Sequence, residues 1–210
     1  MFEINYQIEK TQFGFMLMVT YQHDLCAVEF SDDEAPLITG LTRKFSSRDG
    51  VNFTQFLKDE QLVKDIMAVV ELGESKTIPY RMLGTPFQMQ VWKEILQIPK
   101  GSFKTYGQIA AAIGRPNSHR AVGNACNANH LGVIVPCHRV VPADGSMGKY
   151  AWGEGMKGIL LKREGIDINN FKFVMKKPKK FKNAHEELCW HEDKNFFKII
   201  DKIVKDGNKI

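Results

Sequence analysis

Cys137-His138-Arg139 is the place in this 210-residue chain where residue types and order could do covalent chemistry. A thiol ionises at about pH 8.5 and reacts as the thiolate, so a nucleophilic Cys137 needs a base or a positive field beside it. His138 supplies a base of the right type. In an extended segment neighbouring side chains point to opposite faces, so direct contact between the two is not expected; a turn or a bridging water has to join them. Pro136 fixes the backbone just before the thiol. Taken alone, the adjacency favours a buried structural cysteine beside a surface histidine. Arg139 serves either as a phosphate contact or as the pin of a buried loop. Glu164 falls in the last turn of a candidate helix ending at Gly165, where the helix dipole disfavours an acid by about 0.3–1 kcal/mol. That placement suggests a task, a solvated helix end being the bland alternative. Cys126 and Cys189 have no basic partner at useful spacing and read as structural.

The elements that must hold these residues are well punctuated. Thr85-Pro86-Phe87-Gln88 combines a capping residue, a proline suited to the first helical position and a capping-box glutamine. Phe87, Val91, Ile95 and Ile98 then follow at helical spacing until Pro99 and Gly101. Thr105 and Gln108 form a second capping box, opening a short helix that stops at Gly114. After Arg115-Pro116-Asn117 another helix is expected over about 118–128. Two short helices joined by a tight glycine-containing turn make a helix-turn-helix candidate. Leu131–Val135 is a short apolar run, PADGS a turn, and Gly155–Glu164 a last core helix.

Upstream, NYQIEK, FGFMLMVTY and LCAVEF read as strands, Leu37–Phe45 as a helix, and residues 53–69 as a second helix through Phe53, Phe56, Leu62 and Ile66. Ser75–Arg81 is a connector with a short extended segment. Downstream, FKFVMKK suggests a strand, Pro178 and its lysines a linker, and 192–206 an amphipathic helix. The fold class expected is an α/β N-terminal domain over residues 1–80, then a mainly helical domain containing a helix-turn-helix over 81–170. A Lys-rich linker and amphipathic helix occupy 171–210.

Charge is unevenly distributed. The net charge of +5 hides −7 over residues 1–75, +8 over 76–175 and +4 over 176–210. Any polyanion-binding surface therefore belongs to the middle segment. A 43% hydrophobic content rules out wholesale disorder. No apolar run approaches the roughly 20 residues that cross a bilayer, and the N-terminus has no signal-peptide pattern, so no membrane partner is expected. Four cysteines without CxxC spacing give neither a disulfide framework nor a zinc ribbon. The expectation is a reduced, cytoplasmic compartment (the nucleus, if eukaryotic), with no metal.

The string Val135-Pro136-Cys137-His138-Arg139-Val140 resembles the signature of the O6-alkylguanine-DNA alkyltransferases, the methylated-DNA–protein-cysteine methyltransferases. The similarity extends over about 84–166 through GTPFQMQVW, TYGQIAAAIG, RAVGNACNAN, YAWG and LLKREG. The resemblance implies irreversible, stoichiometric transfer of an alkyl group from guanine O6, and also from thymine O4, in duplex DNA to Cys137. The target nucleotide is flipped out of the stack, and no cofactor takes part. It implies that His138 is a water-mediated base oriented by Glu164, and that Asn129 links the recognition helix to the active-site segment. Tyr106 would press the 3′ phosphate and contact the flipped base. Arg120 would fill the gap from the minor groove, on a helix whose Ala121 and Gly123 permit close approach, with Arg115 and Ser118 also at the DNA. Val140, Tyr150, Ala151, Trp152 and Gly153 would line the alkyl-base pocket. Ala151 stands where some relatives carry serine. The expected partner is double-stranded DNA carrying O6-alkylguanine, met by a monomer. A sensor or regulator that binds alkylated DNA without repairing it, and a thiol hydrolase built on Cys137 and His138, are the alternatives.

Overall fold

Residues 2–45, 51–55 and 59–171 are described by the computed structural model. Strands β1 (Phe2–Thr11), β2 (Gly14–Tyr21) and β3 (Asp24–Ser31) form an antiparallel meander. Its second turn places both Gln22 and His23 at positive φ, the twist that a two-residue hairpin turn requires. β4 (Val51–Gln55) adds parallel to β1, giving the order β3-β2-β1-β4. β2 is apolar on both sides because both of its faces are covered. Leu17 and Val19 meet Leu37 and Leu41 of helix α1 (Glu34–Phe45), while Met16 and Met18 join the main core.

The sequence expectation of one helix over 53–69 is corrected here. Phe53 lies in β4, and helix α2 spans Glu60–Met67. The physical reason is local: the Asp59 side chain accepts a hydrogen bond from Leu62 N at 2.9 Å and starts the helix there. Val51–Gln55 instead extends the sheet as β4. Phe56 lies outside the described residues. α2 widens into a π-helical turn over Ala68–Leu72, closed by Gly73 at φ +67.

The connector returns to the sheet edge, where Leu25 N donates to Pro79 O and Arg81 N to Leu25 O. Helix α3 (Pro86–Leu96) follows, then β5 (Lys104–Thr105), α4 (Tyr106–Ala112), α5 (His119–Asn127), β6 (Val140–Val141) and α6 (Glu154–Arg163). Both expected capping boxes form, at Thr85/Gln88 and Thr105/Gln108. α3, α4 and α5 pack through Val91, Trp92, Ile95, Ile109, Ala110, Val122 and Ala125. Trp92 Nε1 donates to Ala125 O at 2.8 Å, fixing α5 against α3. The chain is thus an N-terminal mixed sheet with helices followed by a mainly helical domain whose α4–α5 pair resembles a helix-turn-helix.

The suggested strand FKFVMKK beyond Phe171, the linker at Pro178 and the helix at 192–206 lie outside the described residues. Among the described residues no helix is long and apolar enough to cross a membrane.

Candidate active site

Cys137–Arg139 forms a single 3-10 turn rather than extended chain, correcting the expected geometry. Pro136 precedes it, Cys137 N donates to Val135 O and Arg139 N to Pro136 O. The turn then runs into β6, which pairs with β5. At three residues per turn, successive side chains still diverge, so Cys137 and His138 leave the turn in different directions.

His138 is 1% exposed and its Nε2 lies 2.8 Å from Glu164 Oε1. Glu164 caps the C-terminus of α6, and the same carboxylate accepts from Arg139 Nε and Nη2 at 2.8–3.1 Å. Burial acts to raise the Glu164 pKa, but the hydrogen bonds from His138 and Arg139 outweigh it and hold the group at about 2. An ionised carboxylate can only accept, so His138 Nε2 carries the proton and Nδ1 keeps its lone pair. That Nδ1 is buried without a hydrogen-bond partner among the described residues. Burial also lowers the His138 pKa, more than Glu164 raises it, which keeps the ring neutral. Arg139 Nη1 donates to Ile98 O at 2.7 Å. Of its two sequence readings, the geometry is that of the pin.

Cys137 is 4% exposed. Burial pushes its thiol pKa well up, and the adjoining Cys126 thiol adds to this; the Asn129 amide and the charge on Lys157 pull it back. The resting sulfur is a neutral thiol awaiting a base. Asn129, itself 3% exposed, braces the loop between α5 and the turn. Its Oδ1 accepts from Leu131 N at 3.0 Å, and its Nδ2 donates to Leu131 O and Val135 O. Within that loop Val133 sits at φ +67, a left-handed conformation that disfavours a β-branched residue. Gly132 leaves no room for a side chain: a Cβ there would lie 2.8 Å from Val28 O and 2.9 Å from Trp152 Cη2. The loop also pairs with β3, through Val28 N to His130 O and Gly132 N to Val28 O. The N-terminal sheet thereby backs the active-site segment.

Tyr150 and Trp152 stack edge-on at 5.2 Å, and Tyr150 stands 6.4 Å from the His138 ring. Ala151 and Gly153 are exposed and Val140 is buried. Tyr106 opens α4 half-buried, between Gly123 and Gly148; burial raises its pKa, so it stays a protonated donor. Arg115, Arg120 and Ala121 are exposed, while Ser118, at the N-cap of α5, and Gly123 are half-buried. Arg115 lies over the Phe87 ring. The structure therefore brings Cys137, His138, Glu164, Asn129, Tyr106 and Tyr150 to one locality beside an exposed α5 face.

Two residues were missed. Lys157 is fully buried and donates to Val140 O at 2.7 Å, with its pKa pulled down by burial to about 8. Its signal was present: it shares a helical stripe with Leu160, Leu161 and Glu164. Cys126 adjoins the candidate nucleophile, although no spacing rule connects residues 126 and 137. Among the described residues no group of three or more His, Cys, Asp or Glu stands ready to hold a metal ion.

Residues 86–166 match the family model described as 6-O-methylguanine DNA methyltransferase, DNA binding domain. The chain is similar to the bifunctional transcriptional activator/DNA repair enzyme Ada of Escherichia coli, 38% identical over 162 residues, covering 77% of this chain and 45% of that protein. It is 46% identical over 111 residues to the methylated-DNA–protein-cysteine methyltransferase of Candida albicans, covering 52% of this chain and 62% of that one. The chain thus spans about half the length of the curated relatives it matches. Among solved structures, the Mycobacterium tuberculosis protein OGT in complex with DNA superimposes with a TM-score of 0.64 at 28% identity, covering 80% of this chain and 96% of that one.

Proposed function

This chain belongs to the O6-alkylguanine-DNA alkyltransferase family, and from that premise we propose that it repairs duplex DNA by moving the alkyl group of O6-alkylguanine, and of O4-alkylthymine, onto Cys137. The observation that carries the reading is the buried, unpartnered Nδ1 of a neutral His138, the residue next to Cys137 in the turn, oriented by a carboxylate that is held ionised.

The steps follow from the groups present. Through an intervening water, His138 Nδ1 takes the Cys137 proton, and Glu164 stabilises the imidazolium that results. The charge on Lys157 steadies the thiolate in its apolar setting. Sulfur attacks the alkyl carbon in line, a C–S bond forms, the C–O6 bond breaks, and the purine keeps the electron pair. The guanine released gains a proton at N1, so the thiol proton ends on the base. A thioether has no ready leaving route, and each molecule acts once.

Reaching O6 requires the nucleotide to leave the stack. Arg120 on the exposed face of α5 enters the minor groove and fills the gap; Ala121 and Gly123 let the helix approach the backbone; Arg115 and Ser118 meet phosphates. Tyr106 presses the 3′ phosphate and contacts the flipped base. Val140, Tyr150, Ala151, Trp152 and Gly153 line its pocket, and the protein acts as a monomer. Incubation with duplex DNA carrying radiolabelled O6-methylguanine tests this reading. Label is expected on the protein, one per molecule, and absent from Cys137→Ser although that variant still binds DNA. Binding of lesion DNA by the wild-type protein with no transfer would favour a lesion sensor instead, and repeated turnover of an ester substrate would favour a hydrolase.

A further inference from the structure

We propose that Phe30, in strand β3 of the N-terminal sheet, is a positioning residue that holds Trp152 at the alkyl pocket and so limits the size of the alkyl group accepted. The size limit rests on the alkyl-transfer reading; the hold of Phe30 on Trp152 does not. Phe30 is 8% exposed, and its ring lies edge-on to Trp152 with centroids 5.7 Å apart and planes at 77°. Trp152 meets Tyr150 edge-on at 5.2 Å, and Tyr150 meets the His138 ring at 6.4 Å and 87°. Phe30 also meets Phe13 at 6.2 Å and 84°, and the Arg163 guanidinium lies 5.5 Å over the Phe13 ring. The row of rings thus starts under Arg163 and ends on His138, which Glu164, the residue after Arg163, holds by a hydrogen bond.

Edge-to-face contacts set the positive rim of one ring against the negative face of the next, so each ring fixes the angle of its neighbour. The loop that leads to Cys137 locks the same pair of rings. A Cβ on Gly132 would lie 3.0 Å from Phe30 Cε2, 2.9 Å from Trp152 Cη2 and 2.8 Å from Val28 O. Phe30 and Trp152 therefore close over bare backbone. Trp152 itself is half-buried between the exposed Ala151 and Gly153, and Gly153 turns the chain at φ +91. Its own segment gives the indole little support; the buried Phe30 and Tyr150 supply it. A methyl group needs little room beside Cys137. A longer alkyl chain needs the indole to yield, and Phe30 fills the space into which it would move.

The test measures single-turnover transfer from duplex DNA carrying O6-methylguanine or O6-butylguanine, and takes the butyl-to-methyl ratio of rate constants, from which the folded fraction cancels. In Phe30→Ala the ratio is expected to rise about tenfold or more over wild type, the discrimination that a hydrophobic pocket contact carries. Phe30→Leu refills part of the space and should fall between the two; it carries the test if Phe30→Ala does not fold. Trp152→Ala should raise the ratio at least as far. Adding Phe30→Ala to it should raise the ratio no further, because Phe30 acts through Trp152. Leu17→Ala, in the outer layer of the same sheet, should keep the wild-type ratio. The freedom of Trp152 is read separately by time-resolved fluorescence anisotropy in a Trp190→Phe background. The remaining Trp92 is 2% exposed and bonded to Ala125 O, so its contribution is fixed. Phe30→Ala should add a fast depolarisation. An unchanged ratio in the Phe30 variants, or additive effects of Phe30→Ala and Trp152→Ala, overturns the proposal. If the wild-type protein accepts no methyl group, the repair reading fails; the anisotropy then still decides the hold on Trp152, an unchanged decay overturning it.

Discussion

The N-terminal sheet and the helical domain bury very different things. Among the described residues the sheet buries a single polar residue, Thr20, whereas the segment from 129 to 157 buries Asn129, His138 and Lys157. Buried polar groups destabilise a fold unless they are bonded, and buried charges do so more. The sheet carries little of that penalty, with Asn5 Oδ1 of β1 its one buried side-chain atom lacking a partner among the described residues, and works as a backing plate, its β3 edge holding the loop that leads to Cys137. The helical domain accepts it around Cys137, the thiol that the proposed transfer would ionise. Polar burial, more than apolar packing, distinguishes the candidate active site.

The largest effect is expected at Glu164→Ala. This change strands Arg139 and releases His138, and breaking such a buried pair costs about 3–5 kcal/mol. Loss of an oriented base should slow alkyl transfer by about 10²- to 10⁴-fold. Chemical denaturation and single-turnover rates measure the two separately, and a stable or fully active variant would break the contrast between the domains. The same carboxylate predicts an acid limb. Because its folded pKa is depressed to about 2 from 4.5, its contribution is complete above the upper value and is lost as pH falls toward the lower one. The stability–pH profile of Glu164→Ala should be flatter across that interval.

Leu17→Ala probes the other side. Leu17 is 1% exposed between the sheet and α1. Its truncation should cost about 2–5 kcal/mol, comparable to Glu164→Ala, yet leave the transfer rate per folded molecule unchanged. A slowed rate would mean that the sheet's outer layer shapes the site. Lys157→Met sharpens the comparison by separating stability from function. Wild-type stability should rise as pH climbs from about 8 toward 10.5, because the buried ammonium loses its proton in the folded state first. Lys157→Met should lack that rise, be at least as stable at neutral pH, and transfer more slowly. Thr105→Ala is the smallest change, about 0.5–2 kcal/mol from the lost cap of α4, read as a shift in Tm.

Much of this architecture was legible in the sequence, for physical reasons. Capping boxes are local, so Thr85 and Thr105 announced their helices, and Gly114 and Gly165 ended theirs. The first three strands were readable from β-branched and aromatic runs. β4 was misread because Phe53 and Phe56 fit a helical stripe as well as a strand, and only pairing with β1, a non-local contact, decides for the strand at Phe53. At the site, the motif order pointed to Cys137, His138 and Glu164, but not to the geometry. The double use of Glu164 by His138 and Arg139 is a product of packing between segments distant in sequence. Lys157 lay within reach of periodicity alone, as a lysine in an apolar stripe.

Intact-mass and peptide analysis after exposure to O6-methylguanine duplex DNA tests the central claim most directly. One methyl group per molecule is predicted, located on Cys137, with no further repair by the methylated protein. An unmodified Cys137 alongside repaired DNA, or a single molecule repairing many lesions, would contradict it.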